Sequence, residues 1–170
     1  MKTVRNHLPL IILFLCLLGL PVSAQTGKFY STNNELSSSL INQIFQDERG
    51  FIWIATEYGL NKFDGLRFSN YKHISGDSTS IKNNYVRTLF EDNEQNLLVG
   101  CIDGLMKYDP ETDSFREIPM MRAGKQVFPH VTQMQKLHNG EIWIVTTGQG
   151  IFRLDEQRRQ ALSIDEIMKQ

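Results

Sequence analysis

The stretch that decides the fold runs from Ile41-Asn-Gln-Ile-Phe-Gln-Asp47 through Gly50 and Phe51-Ile-Trp-Ile-Ala-Thr56 to Gly59-Leu60 and Phe63-Asp64. Its pattern recurs about 45 and about 90 residues further along the chain. A period of about 40 to 50 residues is typical of proteins that stack copies of one supersecondary unit. The repeat therefore predicts the fold before any residue suggests a function.

The copies align closely with one another. The second copy, 86–109, matches the first at a shift of 45 residues without a gap, and the third, 131–155, matches at a shift of 90 with one inserted residue near Gly148. Residues that recur at one register are expected to hold the structure. Those predicted structural repeat positions are Asp47, Gly50, Trp53, Gly59, Asp64, Asp92, Gly104, Asp109, Gly140, Trp143, Gly150 and Asp155.

Each copy predicts four short strands, because its apolar runs are five to seven residues long and are separated by Gly, Asn and Asp. In the first copy these strands are 41–46, 51–56, 59–64 and 67–72. Four consecutive strands joined by tight turns form an antiparallel meander. A single meander cannot bury both of its faces, so the sheets are expected to pack face to face around an axis, as the blades of a β-propeller do.

The predicted fold is all-β, a partial β-propeller of about three four-stranded antiparallel blades. Blade repeats are predicted at 41–72, 86–118 and 131–164, after a lead-in segment over 25–40. Residues 165–170 are interpreted as the start of a truncated next blade. Because a closed ring takes at least four blades, three blades leave the ring open.

The repeated tryptophans are interpreted as core residues. Trp53 and Trp143, replaced by Leu98 in the middle copy, are expected to fill the gap between neighbouring blades. A stacking platform for a sugar is the alternative. Packing between blades requires a large side chain at the same position of each repeat, whereas ligand recognition does not require such repetition. The core interpretation is therefore preferred.

The turns carry the other repeated residues. Gly50 and Gly140 are expected to take positive φ in hairpin loops, and Asn is expected to do so in the turn over 92–96. The aspartates at strand ends could in principle bind calcium or act as general acids. Side-chain hydrogen bonds within turns explain them better, and Leu137 at the position of Asp47 in the third copy agrees with this.

The first 24 residues differ from the rest. Lys2 and Arg5 precede an apolar run over 8–20 and small residues that end at Ala24, which is the pattern of a secretory signal peptide. Cleavage between Ala24 and Gln25 is predicted, which makes the mature chain an exported, periplasmic one. It would then retain Cys101 alone, which is expected to be a small buried strand residue.

Composition and motifs suggest neither catalysis nor a cofactor. The formal net charge of −1 and the charged fraction of 22% do not indicate binding to nucleic acid or to a membrane surface. The sequence has no Gly-rich phosphate loop, no His-x-x-x-His pair and no Cys pair, so no nucleotide or metal site is predicted. His73, His130 and His138 lie in predicted loops or turns and lack the pattern of a phosphoacceptor helix. No catalytic, cofactor-binding or metal-binding residue is therefore assigned.

The first copy resembles a known repeat. Its Ile-x-x-Ile-x-x-Asp strand over 41–47, Ile-Trp-Ile-x-Thr over 52–56 and Gly-Leu-x-x-Phe-Asp over 59–64 are similar to the two-component regulator propeller repeat. That repeat is found in the exported sensor region of hybrid histidine kinases of gut Bacteroides and related bacteria. The lead-in over 29–40 also resembles the approach to the first blade of those sensors.

The resemblance implies a longer parent protein. In the family, a periplasmic seven-bladed propeller, often two in tandem, is followed by a small β-sandwich, a membrane helix and a kinase with receiver and DNA-binding domains. This chain would then be part of the input domain of a protein histidine kinase that is anchored in the inner membrane and is a homodimer. It would bind an oligosaccharide, pack against the remaining blades, contact no nucleic acid and have no enzymatic activity itself.

Two other classes of function stay open at this point. One is an exported propeller enzyme, such as a polysaccharide lyase or a glycosidase, with acidic and histidine side chains in its channel. The other is a structural interaction module that pairs sensor subunits. In propellers ligands usually meet the loops at one end of the channel, so the inter-blade segments 74–84 and 120–129 are the candidate ligand loops.

Overall fold

The computed structural model describes residue 30 and residues 35–155, 157 and 159–167. The predicted signal peptide over 1–24 and its cleavage site at Ala24 and Gln25 lie outside these described residues. Over the described part of the chain, no helix is long and apolar enough to cross a membrane.

The first two sheets are antiparallel meanders with the same strand order. The first runs β1 (Ile41–Gln46), β2 (Ile52–Thr56), β3 (Gly59–Phe63) and β4 (Phe68–Tyr71). The second runs β5 (Val86–Glu91), β6 (Leu97–Cys101), β7 (Gly104–Asp109) and β8 (Ser114–Ile118). Short apolar runs between turn residues therefore become strands close to the predicted bounds.

The third sheet has six strands where four were predicted. They are β9 (Met120–Arg122), β10 (Lys125–Val127), β11 (His130–Lys136), β12 (Ile142–Thr147), β13 (Gly150–Leu154) and β14 (Ala161–Ser163), and one helical turn, α1 (Ile164–Ile167), follows. The sheet order is β10-β9-β14-β13-β12-β11, and β9 pairs with β14 in parallel. The interpretation of 120–129 as a loop was therefore wrong. Met120 is buried beside Ala161 at this edge, and strands of three residues are too short to show a period in the sequence.

The three meanders pack face to face as propeller blades. We call the sheets of β1–β4 and β5–β8 blade 1 and blade 2, and strands β11–β14 blade 3. Among the first strands, β5 contacts both β1 and β11, so the three lie side by side along the axis. One apolar cluster lies between blades 1 and 2 and a second between blades 2 and 3. The chain is an all-β partial propeller.

Trp53 is the centre of the first interface. It is fully buried, its ring lies 4.8 Å from that of Tyr108 in blade 2, and it stacks on Tyr71 at 5.9 Å. Leu98 occupies the same position in blade 2 and is buried against blade 3. Trp143 in blade 3 is only half-buried. The repeated position thus fills an inter-blade gap wherever a described blade follows it.

The opposite face of blade 1 is covered by the described residues of the lead-in, Tyr30 and 35–40. Tyr30 packs against Phe63 and Phe68, with ring centroids 5.3 Å and 5.1 Å apart. The backbone N–H of Ser37 donates to Asn61 Oδ1 at 2.8 Å, and Leu36 is buried nearby. These residues therefore shield apolar surface that would otherwise face solvent.

Candidate ligand-binding site

Each inner strand carries a β-bulge near its beginning. The register shifts between Ile41 and Gln43 in β1, and at the equivalent places in β5 and β11, so the bulged residues are Asn42, Arg87 and Thr132. A bulge bends its strand and redirects a side chain. These three residues stand at one repeat position on the inner strands, but they differ in chemistry from blade to blade.

The bulges lie at one end of the blades, which we call the top end, where β1, β5 and β11 begin. The turns between the second and third strands of each blade lie at the same end, because β2, β6 and β12 finish there. Two of these turns expose large side chains, Tyr58 at 63% and Ile102 at 40%. The top end therefore offers aromatic and aliphatic surface beside the axis.

Arg87 is an exposed cation of this region. Its side chain is exposed, and its Nη1 donates to Asn42 Oδ1 at 3.2 Å, while Asn42 Nδ2 donates to the carbonyl of Val86 at 2.8 Å. The Asn42 side chain of blade 1 thus positions a guanidinium of blade 2 next to the axis. A guanidinium held in this way can donate several hydrogen bonds to one ligand group.

Tyr85 and His130 form the second part of the top end. They occupy equivalent positions of successive repeats, since Tyr85 directly precedes β5 and His130 is the first residue of β11. Their rings meet edge to face, with centroids 6.0 Å apart. Burial, together with the nearby charge of Arg87, lowers the pKa of His130 below its ordinary value. His130 is therefore neutral at pH 7, so one ring nitrogen can donate and the other can accept.

Asp103 completes the cluster from the turn between β6 and β7. Its Oδ2 accepts from Asn83 Nδ2 at 3.2 Å, and the Asn83 Oδ1 accepts from the backbone N–H of Tyr85 at 2.9 Å. The Ile102 N–H donates to the carbonyl of Tyr85 at 3.2 Å, which ties this turn to the start of β5. The carboxylate is thus held beside Tyr85.

Two buried polar atoms of the top end lack a hydrogen-bond partner. Among the described residues, three buried side-chain atoms are in this state, namely Asp103 Oδ1, His130 Nε2 and, at the other end of β5, Glu91 Oε1. Buried polar atoms are nearly always paired in native proteins, so each unpaired one needs an explanation. A ligand that donates to Asp103 and bonds to His130 would supply both missing partners.

The residues predicted from the repeat lie mainly at the opposite, bottom end. Asp47 is buried and accepts from Phe51 N at 2.8 Å and from Trp53 Nε1 at 2.9 Å. The other repeated aspartates accept backbone N–H bonds within their own turns. Asp64 accepts from Leu66 and Arg67, and Asp92 accepts from Glu94 and Asn96. Asp109 accepts from Glu111, and Asp155 accepts from Arg159. In the described part of the chain, no three His, Cys, Asp or Glu side chains are placed to hold a metal ion.

The repeated glycines take backbone conformations that other residues adopt poorly. Gly50 and Gly140 both have φ of +88° in the turn after the inner strand, and Gly59 and Gly104 have φ of +135° and +138° at the top end, where Gly150 has +79°. In the second copy the residue with positive φ is Gln95, at +61°, and not an asparagine. The expectation of Asn in that turn was wrong, because the loop keeps the conformation of its glycine-containing equivalents.

The two predicted ligand loops have different places. Segment 74–84 ends at the top end, where its Asn83 binds Asp103, whereas 120–127 forms the outer edge of the third sheet, away from the inner strands. Tyr85, Arg87 and Asp103 were not singled out from the sequence. The only signal for them was that otherwise regular copies differ in chemistry at these positions.

Cys101 lies beside this region but inside the core. It is fully buried, and burial together with the charge of Asp103 raises the pKa of its thiol to about 12. A thiol of that pKa is not ionised at neutral pH and is a poor nucleophile.

Comparison with known proteins settles which repeat this is. A family model described as the two component regulator propeller matches residues 35–58, which cover the end of the lead-in, β1 and β2. The chain carries the two-component regulator propeller repeat. The resemblance seen in the sequence is thereby confirmed.

Two relatives contain this repeat region within much longer chains. The chain is 40% identical over 75 residues to a protein named histidine kinase P4 from Formosa agariphila. The aligned residues cover 42% of this chain and 5% of that protein. It is also similar to a solved extracellular domain of a hybrid two component system from B. thetaiotaomicron, with 30% identity and a TM-score of 0.68 over 79% of this chain and 19% of that domain. This chain therefore spans only a small part of each.

The propeller fold is also shared with enzymes. Virginiamycin B lyase from Staphylococcus aureus matches with a TM-score of 0.55 and 15% identity, over 76% of this chain and 42% of that one. At this level of identity the similarity concerns the fold alone. Fold does not determine function, which has to be argued from the site.

Proposed function

We propose that this chain is part of an extracytoplasmic ligand-sensing propeller of a hybrid two-component sensor histidine kinase, and that its ligand is a carbohydrate. The top-end cluster is the observation that carries this proposal. Its buried atoms Asp103 Oδ1 and His130 Nε2 lack partners, and they stand next to an exposed guanidinium and aromatic rings. The similarity to an extracellular two-component domain supports the same assignment.

The chemistry of the cluster fits a sugar. Carbohydrate hydroxyls both donate and accept, so they match a carboxylate, an imidazole and a guanidinium that lie together. Apolar faces of sugar rings stack on aromatic side chains, and Tyr58 is exposed for such a contact. Binding at the axis would touch residues of several blades at once and could change how the blades sit on one another.

The proposal also covers the surroundings of the chain. The signal peptide over 1–24 exports it to the periplasm, the parent protein is anchored in the inner membrane and dimerises, and the chain itself binds but does not catalyse. The remaining blades and the kinase of the parent are its intramolecular partners. A role as an exported propeller enzyme is kept as an outcome of the test.

Binding to oligosaccharides tests the proposal. The protein expressed from its own gene is titrated in a calorimeter with fragments of plant, algal and host polysaccharides, and products are followed by chromatography. We expect binding without cleavage, and we expect Arg87→Ala to weaken it about tenfold or more, the usual effect of losing a hydrogen bond to a charged group. Arg116→Ala, at an exposed position of the outer strand β8, is the matched control and should leave affinity unchanged.

Three results would contradict this assignment. Cleavage of a fragment would favour the enzyme, and binding that Arg87→Ala leaves intact would remove the top end from the site. Failure of all fragments to bind, with signalling that persists when the propeller is deleted, would refute the sensing role itself.

A further inference from the structure

Arg87 carries a charge that no carboxylate of the described residues neutralises. Among those residues, no ion pair includes Arg87, and the acceptor of its Nη1 is the uncharged amide oxygen of Asn42. Lys82, a cation in the segment before β5, differs because its Nζ is bound to Glu117. The exposed guanidinium of Arg87 thus has both charge and N–H donors to offer to a ligand.

His130 stands close to that guanidinium, because the charge of Arg87 contributes to its lowered pKa. Its ring meets that of Tyr85, and its register partner on β12 is the uncharged Thr147. The buried Nε2 has no partner among the described residues. A neutral imidazole can donate from Nε2, so an anionic group placed here accepts from the imidazole and from the guanidinium together.

Asp103 requires a ligand group of the opposite kind. Its Oδ2 accepts from Asn83, whereas its buried Oδ1 has no partner among the described residues. A carboxylate oxygen accepts, so the missing partner is a donor such as a hydroxyl. Asp103 does not pair with Arg87 within the described part of the chain. A bare inorganic anion would therefore satisfy Arg87 and His130 but not Asp103.

We propose that the top end recognises saccharides that carry an anionic group, a carboxylate or a sulfate ester, and that this group lies between Arg87 and His130. A hydroxyl of the same saccharide would donate to Asp103 Oδ1. This inference rests on the proposed carbohydrate ligand and adds the charge of that ligand. A uronic acid residue, for example, offers a carboxylate and donor hydroxyls on one ring.

The two charges of the site occur once in the three blades. Shifts of 45 and, after the inserted residue, 91 give the positions equivalent to those of Arg87 and Asp103 in blades 1 and 3. All four of those positions hold uncharged residues, namely Asn42, Thr132, Tyr58 and Gln149. The site therefore recognises one anionic sugar residue, at the junction of blades 2 and 3.

Matched ligands test this inference on the unaltered protein. The protein expressed from its own gene is titrated with acidic fragments before and after reduction of their carboxylates to alcohols, and with sulfated fragments before and after removal of sulfate. We expect loss of the recognised group to weaken binding about tenfold or more. The treatment that weakens binding identifies the group as carboxylate or sulfate.

Two results would separate this inference from the proposed function. Affinity that neither treatment changes, or binding confined to neutral fragments, would overturn the inference and leave the carbohydrate ligand in place. Failure of every fragment to bind would contradict both.

A variant of Arg87 tests which ligand group the guanidinium binds. Arg87→Gln should weaken binding of the intact fragment about tenfold and leave binding of its anion-free form nearly unchanged, because the contact is already absent there. Arg116→Gln, at an exposed position of β8, is the control and should change neither affinity. An equal loss with both forms would overturn the inference, since Arg87 would then bind hydroxyls.

Proton uptake provides a readout at His130. A bound anion offsets the charge of Arg87, so it raises the pKa of His130 from its lowered value. A group whose pKa rises on binding takes up protons, so affinity for the anionic fragment should increase as the pH falls from about 7 to about 5. Calorimetry in buffers of different ionisation enthalpy measures the uptake. Equal uptake with the anion-free form, or no uptake with the intact fragment, would overturn the placement of the anion beside His130.

Discussion

Single residues at the bottom end show how the turns are kept in one conformation although their sequences differ. Gly50 and Gly140 suit their positive φ, but Gln95 holds φ of +61° at the equivalent place. A side chain with a Cβ is disfavoured there by about 1–2 kcal/mol. The turn is retained because Asp92 accepts N–H bonds from Glu94 and Asn96, at 2.8 Å and 2.9 Å.

Replacing Gln95 with glycine should therefore stabilise the protein. We expect Gln95→Gly to raise the free energy of unfolding by up to about 1 kcal/mol, since relief of the strained φ outweighs the added flexibility of the unfolded chain. Urea unfolding measures this. Gly140→Ala is the reverse control and should lower the free energy of unfolding, and a destabilised Gln95→Gly variant would contradict the account of this turn.

Asp47 is more than a turn residue, because it also holds Trp53. Asp47→Ala leaves the buried indole N–H without an acceptor, and we expect a loss of about 1–3 kcal/mol in the free energy of unfolding. Asp64→Ala removes two exposed turn bonds and should lower the free energy of unfolding by less than Asp47→Ala does. Equal losses in the two variants, measured by urea unfolding, would show that the Trp53 bond contributes little.

A hydrogen-bond network between blades 1 and 2 predicts a response to pH. Lys62 Nζ donates to the Tyr108 hydroxyl at 2.9 Å, and the hydroxyls of Tyr108 and Tyr71 both donate to Asp113 Oδ1, at 2.5 Å and 2.7 Å. Burial and the hydrogen bond to Asp113 raise the pKa of Tyr108 to about 12, and the same causes raise the pKa of Tyr71. Burial acts to raise the pKa of Asp113, but hydrogen bonds from Tyr108 and Tyr71, with the charge of Lys62, bring it below its ordinary value.

The signs of these shifts give two pH ranges. A tyrosine with a raised pKa stabilises the fold fully below its unfolded value of 10.0, and that stabilisation is lost as the pH rises towards 12. The carboxylate contributes above its ordinary pKa of 3.8 and loses that contribution as the pH falls below it. We expect Tyr108→Phe to flatten the decline of unfolding free energy between pH 10 and 12. An unchanged slope would contradict the network.

At the scale of elements, the close approach of blades 2 and 3 depends on one small residue. Gly100 on β6 has the side chains of Thr88 and Val131 around it, and a Cβ there would lie 2.6 Å from Thr88 Cγ2 and 2.7 Å from Val131 Cγ1. Blade 1 has Ala55 at the equivalent position and blade 3 has Val145. The repeat thus determines that this position lies in the second strand of each blade, while packing against the neighbouring blade determines how large its side chain can be.

Gly100→Ala is therefore expected to destabilise the protein by about 1–3 kcal/mol, the usual cost of overpacking. Adding Thr88→Ser removes the nearer methyl group and should recover part of that loss. Thermal unfolding of the single and double variants measures this. A Gly100→Ala protein as stable as the parent would show that β6 and β11 can separate without cost.

Elements also show what the sequence could predict. Strands β1 to β8 were predictable, because each has an apolar run between turn residues and a counterpart at a shift of 45. The β9–β10 hairpin was not, because it has no counterpart in the other copies and its residues pair with β14, about 40 residues away in the chain. Strand pairing of that kind depends on tertiary contacts.

At the scale of the whole molecule, the repeat explains the scaffold but not the candidate site. The repeated Asp, Gly and Trp residues hold turns and interfaces, mostly away from the top end. The residues at the top end differ from blade to blade, so no period could reveal them, and Tyr85 meets His130 only because adjacent blades pack side by side. The proposed site therefore lies where the repeat is broken.

The most direct test of the sensing role is ligand-dependent transcription in the organism that carries this gene. The wild type is compared with Arg87→Ala and with the matched control Arg116→Ala, with protein levels checked by immunoblotting. The account predicts that induction by the active oligosaccharide is lost or shifted to about tenfold higher concentration in Arg87→Ala only. Induction that is the same in all three strains would contradict the assignment of the top end as the sensing site.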